Sequence, residues 1–296
     1  MGGLPRSARR DWHQRGRSVF TRIHHISIAV RSLEQSLPFY RDVLGLPVGE
    51  EVAVPDQGVR AALFPMQDGE IELLEPVDPT GGVARFLERR GEGLHHVCLE
   101  TPDVAAALAH AKALDLPLID RSSRFGLSGM VAFLHPKASH GVLVEFAQPL
   151  TPPAHPDPPG PGVHALGFGA VYVGVNDLLA AAAAYARNFQ TSMGAIQDHP
   201  HFGARQVVSS IGSSRIALLS PVDRASPVGC FLVERGEGLF GVCLRIRDLE
   251  AALRHLEASG TPTKVHRGNV ATPLARLDPT QVNGVNLFLC ADATCL

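Results

Sequence analysis

Two histidines and two glutamates stand on strand-like stretches: His25 in "HHISIAV", Glu72 in "GEIELLEP", His96 in "HHVCLE" and Glu145 in "GVLVEFAQ". Side chains alternate along a strand. His25, Ser27 and Ala29 therefore share one face, and Ile26, Ile28 and Val30 take the other. The same alternation puts Glu72 with Glu70 and Leu74, His96 with Cys98 and Glu100, and Glu145 with Leu143. The separations nearly repeat, with 47 residues from His25 to Glu72 and 49 from His96 to Glu145. Two units related by a pseudo-twofold would bring two imidazoles and two carboxylates together. Such a set suits a borderline divalent ion: Co²⁺, Ni²⁺, Zn²⁺ or Mn²⁺. Four protein donors on a six-coordinate ion leave two adjacent positions for a bidentate ligand. The alternation assigns His24 and His95 to the opposite face, with a structural role.

A lone strand histidine is ordinarily a core or surface residue, so the spacing needs a control, and the chain contains one. "IELLEPVDPTGGVARFLERRGEGLHHVCLE" (71–100) matches "IALLSPVDRASPVGCFLVERGEGLFGVCLR" (216–245) at an offset of 145. "ISIAVRSLE" (26–34) lies over "VYVGVNDLL" (171–179) at the same offset, and "HPKASHGVLVEF" (135–146) over "DPTQVNGVNLFL" (278–289) at 143. The chain is a duplication. In the second copy His25 becomes Ala170, Glu72 becomes Ala217, His96 becomes Gly241 and Glu145 becomes Phe288. All four change while the frame persists, as expected of ligands of one ion. A buried glutamate without a partner is costly, which argues the same way.

The elements that must position these residues follow a plan repeated within each half. A strand opens at His25. A helix follows, with Ser32 as N-cap and Gln35 completing a capping box; Leu33, Leu37, Tyr40 and Leu44 lie on one face and Gly45 stops it. Strands are expected around 48–54, 59–66 and 70–75. The next unit has the strand "HVCLE", Asp103 as cap, the helix "VAAALAHAKALD", and strands around 117–121, 129–134 and 141–147. The expected fold class is α+β, in four βαβββ modules. Seven prolines between Pro149 and Pro161 make a semi-rigid spacer. The expected domains are a flexible tail over 1–20, a metal-binding domain over 21–148, a proline-rich linker over 149–162, and a second domain without metal ligands over 163–296.

The chain has 296 residues, 45% hydrophobic and 19% charged, with a formal charge of −2. This balance gives no reason to expect nucleic acid or a membrane surface as a partner. Five cysteines without a Cys-x-x-Cys point away from a disulfide framework and from structural zinc, and toward a reducing cytoplasmic location. Arg6, Arg9, Arg10, Arg15 and Arg17 lack a following apolar stretch, so the N-terminus reads as a frayed tail rather than a transit peptide.

The first half resembles methylmalonyl-CoA epimerase, of the vicinal oxygen chelate (glyoxalase/bleomycin resistance/dioxygenase) superfamily. The resemblance covers 22–148 and rests on "IHHISIAVRSLEQSLPFYRDVLGL", "VPDQGV", "IELLEPV", "GEGLHHVCLE" and "VAFLHPKASHGVLVEF". Residues 163–291 resemble the superfamily as a degenerate copy. The resemblance implies two domains of curved mixed sheets, each around a cleft, and metal-dependent epimerisation of methylmalonyl-CoA or a related acyl-CoA. An α-proton would leave through a metal-chelated enolate and return on the other face. It implies Asp56 as one acid–base group, where the family carries a glutamate, and Glu145, also a ligand, as the other; Asp56 after Pro55 also reads as a turn residue. His135 and Lys137 would meet the substrate or its phosphates, or form a strand-end turn. "RFGLSGM" (124–130) departs from a more glycine-rich loop and would shape the acyl pocket. The second half, with His201 where the first has Asp56, is expected to replace a partner subunit, the alternatives being a homodimer or an organic regulator in an empty cleft. Competing readings are a glyoxalase I-type enzyme acting on a hemithioacetal, a metal-dependent dioxygenase, and a non-enzymatic small-molecule binder.

Overall fold

The computed structural model describes residues 19–150, 162–212, 214–266 and 273–291. The first half begins with β1 (Arg22–Ala29) and α1 (Leu33–Pro38), followed by β2 (Glu51–Val54), β3 (Val59–Pro65) and β4 (Glu70–Pro76). α2 (Gly82–Arg90) leads to β5 (Gly93–Glu100) and α3 (Val104–Ala113), then β6 (Arg124–Gly126), β7 (Gly129–Leu134) and β8 (Leu143–Gln148). The second half repeats this as β9 (Ala165–Gly174), α4 (Leu178–Asn188), β10 (Gln197–His199), β11 (Ala204–Ile211), β12 (Ser214–Pro221), α5 (Pro227–Arg235), β13 (Gly238–Ile246), α6 (Leu249–Ala258), β14 (Thr263–His266), β15 (Leu274–Leu277) and β16 (Leu287–Cys290). Each half is one curled mixed sheet of eight strands. Their orders are equivalent: β2-β3-β4-β1-β5-β8-β7-β6 and β10-β11-β12-β9-β13-β16-β15-β14. The expected α+β class and module plan are what the structure holds.

Local signals act where the sequence places them. The Ser32 and Asp103 side chains accept hydrogen bonds from the backbone N–H groups of Gln35 and Ala106, caps that contribute about 1 kcal/mol each. Pro38 has no N–H to continue α1. The chain therefore widens into a π-type turn over Phe39–Val43, in which Leu44 N–H donates to the Phe39 carbonyl at 2.9 Å.

Three expectations need correction. The strand expected at 117–121 reduces to one bridge between Leu118 and Leu134, and the edge strand is β6. The Asp120 carboxylate takes the Phe133 N–H that a ladder carbonyl would take. The helices α2 and α5 are also additions, each covering part of a concave face. Cys290 is disulfide-bonded although the cysteine count points away from disulfides; an odd total excludes full pairing, not one pair. The tail and linker fall largely on residues outside those described, but Phe20 is buried against Phe146 and Phe189.

One apolar core runs between the sheets. It holds Leu33 and Tyr40, Ala107 and Leu108 of the first half, and Leu178 and Tyr185, Leu249 and Leu256 of the second. The contacts between halves respect the duplication. Glu92 accepts from Arg31 N–H and from the Asn283 side chain. Its counterpart Glu237 accepts from Asn176 N–H and pairs with His140. Gly141 and Gly284, both at positive φ, lie against the Glu237 and Glu92 carbonyls, where a Cβ would come within 2.0 and 2.6 Å. The halves thus meet as a pseudo-twofold dimer within one chain. Among the described residues, no helix is long and apolar enough to cross a membrane.

Candidate metal centre

β1 and β5 run antiparallel at the centre of the first sheet, flanked by their parallel partners β4 and β8. Ser27 faces both His96 and Glu72 across this register, and Cys98 lies between His25 and Glu145. The four residues singled out by alternation therefore meet at one level of the concave face. All are buried. His25 Nε2 lies 3.0 Å from Glu145 Oε2, 3.2 Å from His96 Nε2 and 3.6 Å from Glu72 Oε2. His96 Nε2 lies 3.3 Å from Glu145 Oε2 and 3.9 Å from Glu72 Oε2. Donors about 2.1 Å from one ion lie about 3.0 Å apart at right angles and about 3.4 Å apart at tetrahedral angles. His25, His96 and Glu145 form one compact group and His24, His25 and Cys98 another; Glu72 adjoins the first through its distances to both imidazoles. Such a group can hold a divalent metal ion.

The electrostatics favour positive charge beside the two carboxylates. Burial works against a charge on His25, but Glu72 and Glu145 outweigh it and raise the imidazole to about 9. Burial would raise Glu145, yet its hydrogen bonds and charge contacts with His25 and His96 hold it well below the usual carboxylate range. In effect, the proton on His25 stands in for an ion.

His24 and His95 do not face away, as alternation had them. Each is the extra residue of a bulge in the β1–β5 pair, where the register shifts between Ile23 and His25 and between Ser27 and Ile28. A bulge breaks strand parity. His24 Nδ1 thus reaches His25 Nδ1 at 3.0 Å, and His95 Nδ1 reaches His96 Nδ1 at 2.9 Å. The Nε2 atoms are left for the centre. Burial, then the neighbouring imidazole, lowers His24 and His95 to about 3 each, so both are neutral supports that fix the rings. Ser27, which donates to Glu72 and contacts His96 at 2.9 Å, is also part of the site. Its place on the His25 face was the signal for it. Ser128, 3.4 Å from His25 Nδ1, had none.

Asp56 is not in this cluster. It sits on the turn Pro55–Gln57 between β2 and β3, with its side chain 58% exposed and 3.4 Å from Arg124. β2 and β6 are the two edges of the sheet, so the contact joins them across the mouth of the cleft. Arg124 also lies over the Phe133 ring, which in turn meets His96. The "RFGLSGM" loop folds into this mouth, with Leu127 packed on the concave face beside Val54 and Leu74. His135 and Lys137 part company at the turn Pro136–Ala138. His135 lines a groove between the halves, and Lys137 lines a separate pocket with Arg187.

In the second cleft, aromatic side chains stand among the described residues at the level of the first cleft's four. Tyr172, Phe202, Phe240 and Phe288 pack there, with ring centroids 4.9–5.8 Å apart. Gly241 is obligatory there, since a Cβ would come within 2.7 Å of the Asn286 carbonyl and 2.9 Å of the Phe288 ring.

The Glyoxalase/Bleomycin resistance protein/Dioxygenase superfamily model matches residues 24–133, and a glyoxalase-like domain model matches 171–293. Mitochondrial methylmalonyl-CoA epimerase of Mus musculus is 37% identical over 129 residues, covering 43% of this chain and 72% of that protein. An ethylmalonyl-CoA/methylmalonyl-CoA epimerase of Cereibacter sphaeroides is 37% identical over 130 residues, 43% of this chain and 97% of its own length. A 4-hydroxymandelate synthase variant from Streptomyces coelicolor shares the fold across 92% of both chains, with a TM-score of 0.69 and 17% identity. The chain belongs to the glyoxalase/bleomycin resistance/dioxygenase superfamily in two copies, and its N-terminal half to the methylmalonyl-CoA epimerases, which are isomerases.

Proposed function

We propose that this protein epimerises methylmalonyl-CoA or a closely related 2-substituted acyl-CoA. The observation that carries the reading is the convergence of His25, Glu72, His96 and Glu145 at one buried level of a cleft, in a half similar to methylmalonyl-CoA epimerases. These four residues would hold a divalent ion, which would supply Lewis acidity to an acyl-CoA substrate. His24 and His95 keep the liganding rings in place. Epimerisation removes the α-proton from one face and returns one to the other, so two acid–base groups must flank the carbon. Asp56 at the cleft mouth serves one face and Glu145 the other. Arg124 ties Asp56 to the opposite sheet edge, and the Leu127–Ser128 turn covers the acyl group and excludes water.

The test is solvent exchange. Co²⁺-loaded protein in D₂O is incubated with methylmalonyl-CoA and followed by NMR. Metal-dependent deuterium incorporation at Cα is expected, with loss of both metal and exchange in His96→Ala. Asp56→Ala should retain the ion and slow exchange about 10²–10⁴-fold, the usual contribution of a positioned acid–base group. No exchange with metal bound would overturn the reading and direct the search to hemithioacetals.

A further inference from the structure

A groove of about 900 Å³ runs between the halves. It lies on their pseudo-twofold, so its walls come in equivalent pairs: Phe86 and Phe231, Arg90 and Arg235, Leu94 and Leu239. The Arg90 guanidinium donates to the Arg235 carbonyl at 3.1 Å, and Arg235 returns the bond to the Arg90 carbonyl at 3.0 Å. Each guanidinium has five N–H donors, so this exchange anchors both groups and leaves donors facing solvent. The symmetry breaks in charge. Arg89 faces the groove where the second half has Glu234, and the neutral His95 stands where it has Phe240. The result is a trough with apolar walls and anchored guanidinium groups, biased toward anions beside α2.

The groove approaches the candidate metal centre through neighbours of its residues, and none of the four themselves lines it. Leu143 lines it, pairs with His96 in the β5–β8 register, and stands two residues before Glu145 on the same face. His95 lines it as well, next to His96. A thioester whose acyl end sits at the four ligands would lead its thiol arm past Leu143 into this space. The arm of an acyl-CoA is long and mostly uncharged and ends in phosphates, and arginine forks suit phosphate oxygens.

We propose that this groove binds the phosphopantetheine and nucleotide portion of the acyl-CoA, with Arg89, Arg90 and Arg235 on its phosphates. The second half then contributes directly to substrate binding through Arg235 and one wall of the groove. The proposal rests on the acyl-CoA reading above, and the test separates the two. Co²⁺-loaded full-length protein is assayed with methylmalonyl-CoA and with methylmalonyl-pantetheine, which lacks the phosphates. Arg235→Glu should raise KM for the CoA ester about tenfold and shrink the preference for it over the short ester by the same factor. Arg89→Glu, whose described hydrogen bond stays within its own helix, should do likewise and guards against misfolding of the first variant. Glu234→Arg should lower KM for the CoA ester. An unchanged preference in both Arg→Glu variants overturns the groove and leaves the epimerase reading intact. If neither ester turns over, titration calorimetry with free CoA decides. Binding that Arg235→Glu weakens supports the groove without the epimerase, and absent or unweakened binding overturns it.

Discussion

The two clefts of this chain solve one problem in opposite ways. Each is the concave face of its own eight-stranded sheet, the two sheets sharing one strand order, and both must fill the space between the central strands. The first fills it with charge: His25, Glu72, His96 and Glu145, with Ser27 bonded among them. The second fills it with rings, because Tyr172 replaces Ser27 and Phe288 replaces Glu145. Gly241, at the position of His96, makes room for Phe288. A buried charge is tolerable only when paired or ligated, whereas a buried aromatic needs only close packing. The first cleft can therefore take a ligand among its charges, and the second is closed by packed rings. The conserved frame shows that the fold itself requires neither solution.

The largest expected effect comes from making the first cleft resemble the second in character. Replacing the four by apolar residues of similar size (His25→Leu, Glu72→Met, His96→Leu, Glu145→Met) should abolish stoichiometric metal loading. It should leave the ion-free protein as stable or about 1–4 kcal/mol more stable, as for other buried ion sets exchanged for hydrophobes. Denaturant titration after chelation checks this, and a large loss of stability would mean that the charges hold the fold together.

Breaking the second cleft should have the converse effect. Phe288→Ala should cost about 3–5 kcal/mol by opening a cavity among Tyr172, Phe202 and Phe240, with metal content unchanged. Urea unfolding and metal analysis of the same samples report both quantities. A drop in metal content would show that the halves are coupled more tightly than separate clefts imply.

The smallest effect is in pH. His25 is raised to about 9, so its contribution to the ion-free fold is complete below about 6.5 and lost as pH rises through about 9. His199, in the second half, is lowered to about 4 by burial and then by His201. Its contribution has the other sign, with stability falling as pH drops from about 6.5 toward 4. The chelated protein should thus melt lower at pH 9.5 than at pH 7, while the metal-loaded protein, with the His25 proton displaced, should not. Equal slopes with and without metal would break the assignment of the centre.

Some of this was legible residue by residue. Strand alternation placed His25, Glu72, His96 and Glu145 on inward faces, and their joint loss in the second copy grouped them before any contact was known. The caps at Ser32 and Asp103 are local chemistry, readable because a cap depends on residues within one turn. The supports were not readable. His24 and His95 sit at bulges, and a single inserted residue inverts the parity that alternation assumes. Asp56 looked like a member of the site, but the curl of the sheet places it at the mouth, tied to Arg124 from the far edge. The groove between the halves was invisible for a related reason: Arg90 and Arg235 are 145 residues apart. The sequence alone determined the duplication, the module plan and which copy carries the ionisable set, because periodicity and spacing are local properties of a chain. Only the tertiary structure decided which histidines support which, what fills the second cleft and what lies between the halves, because those depend on register shifts and on surfaces far apart in the chain.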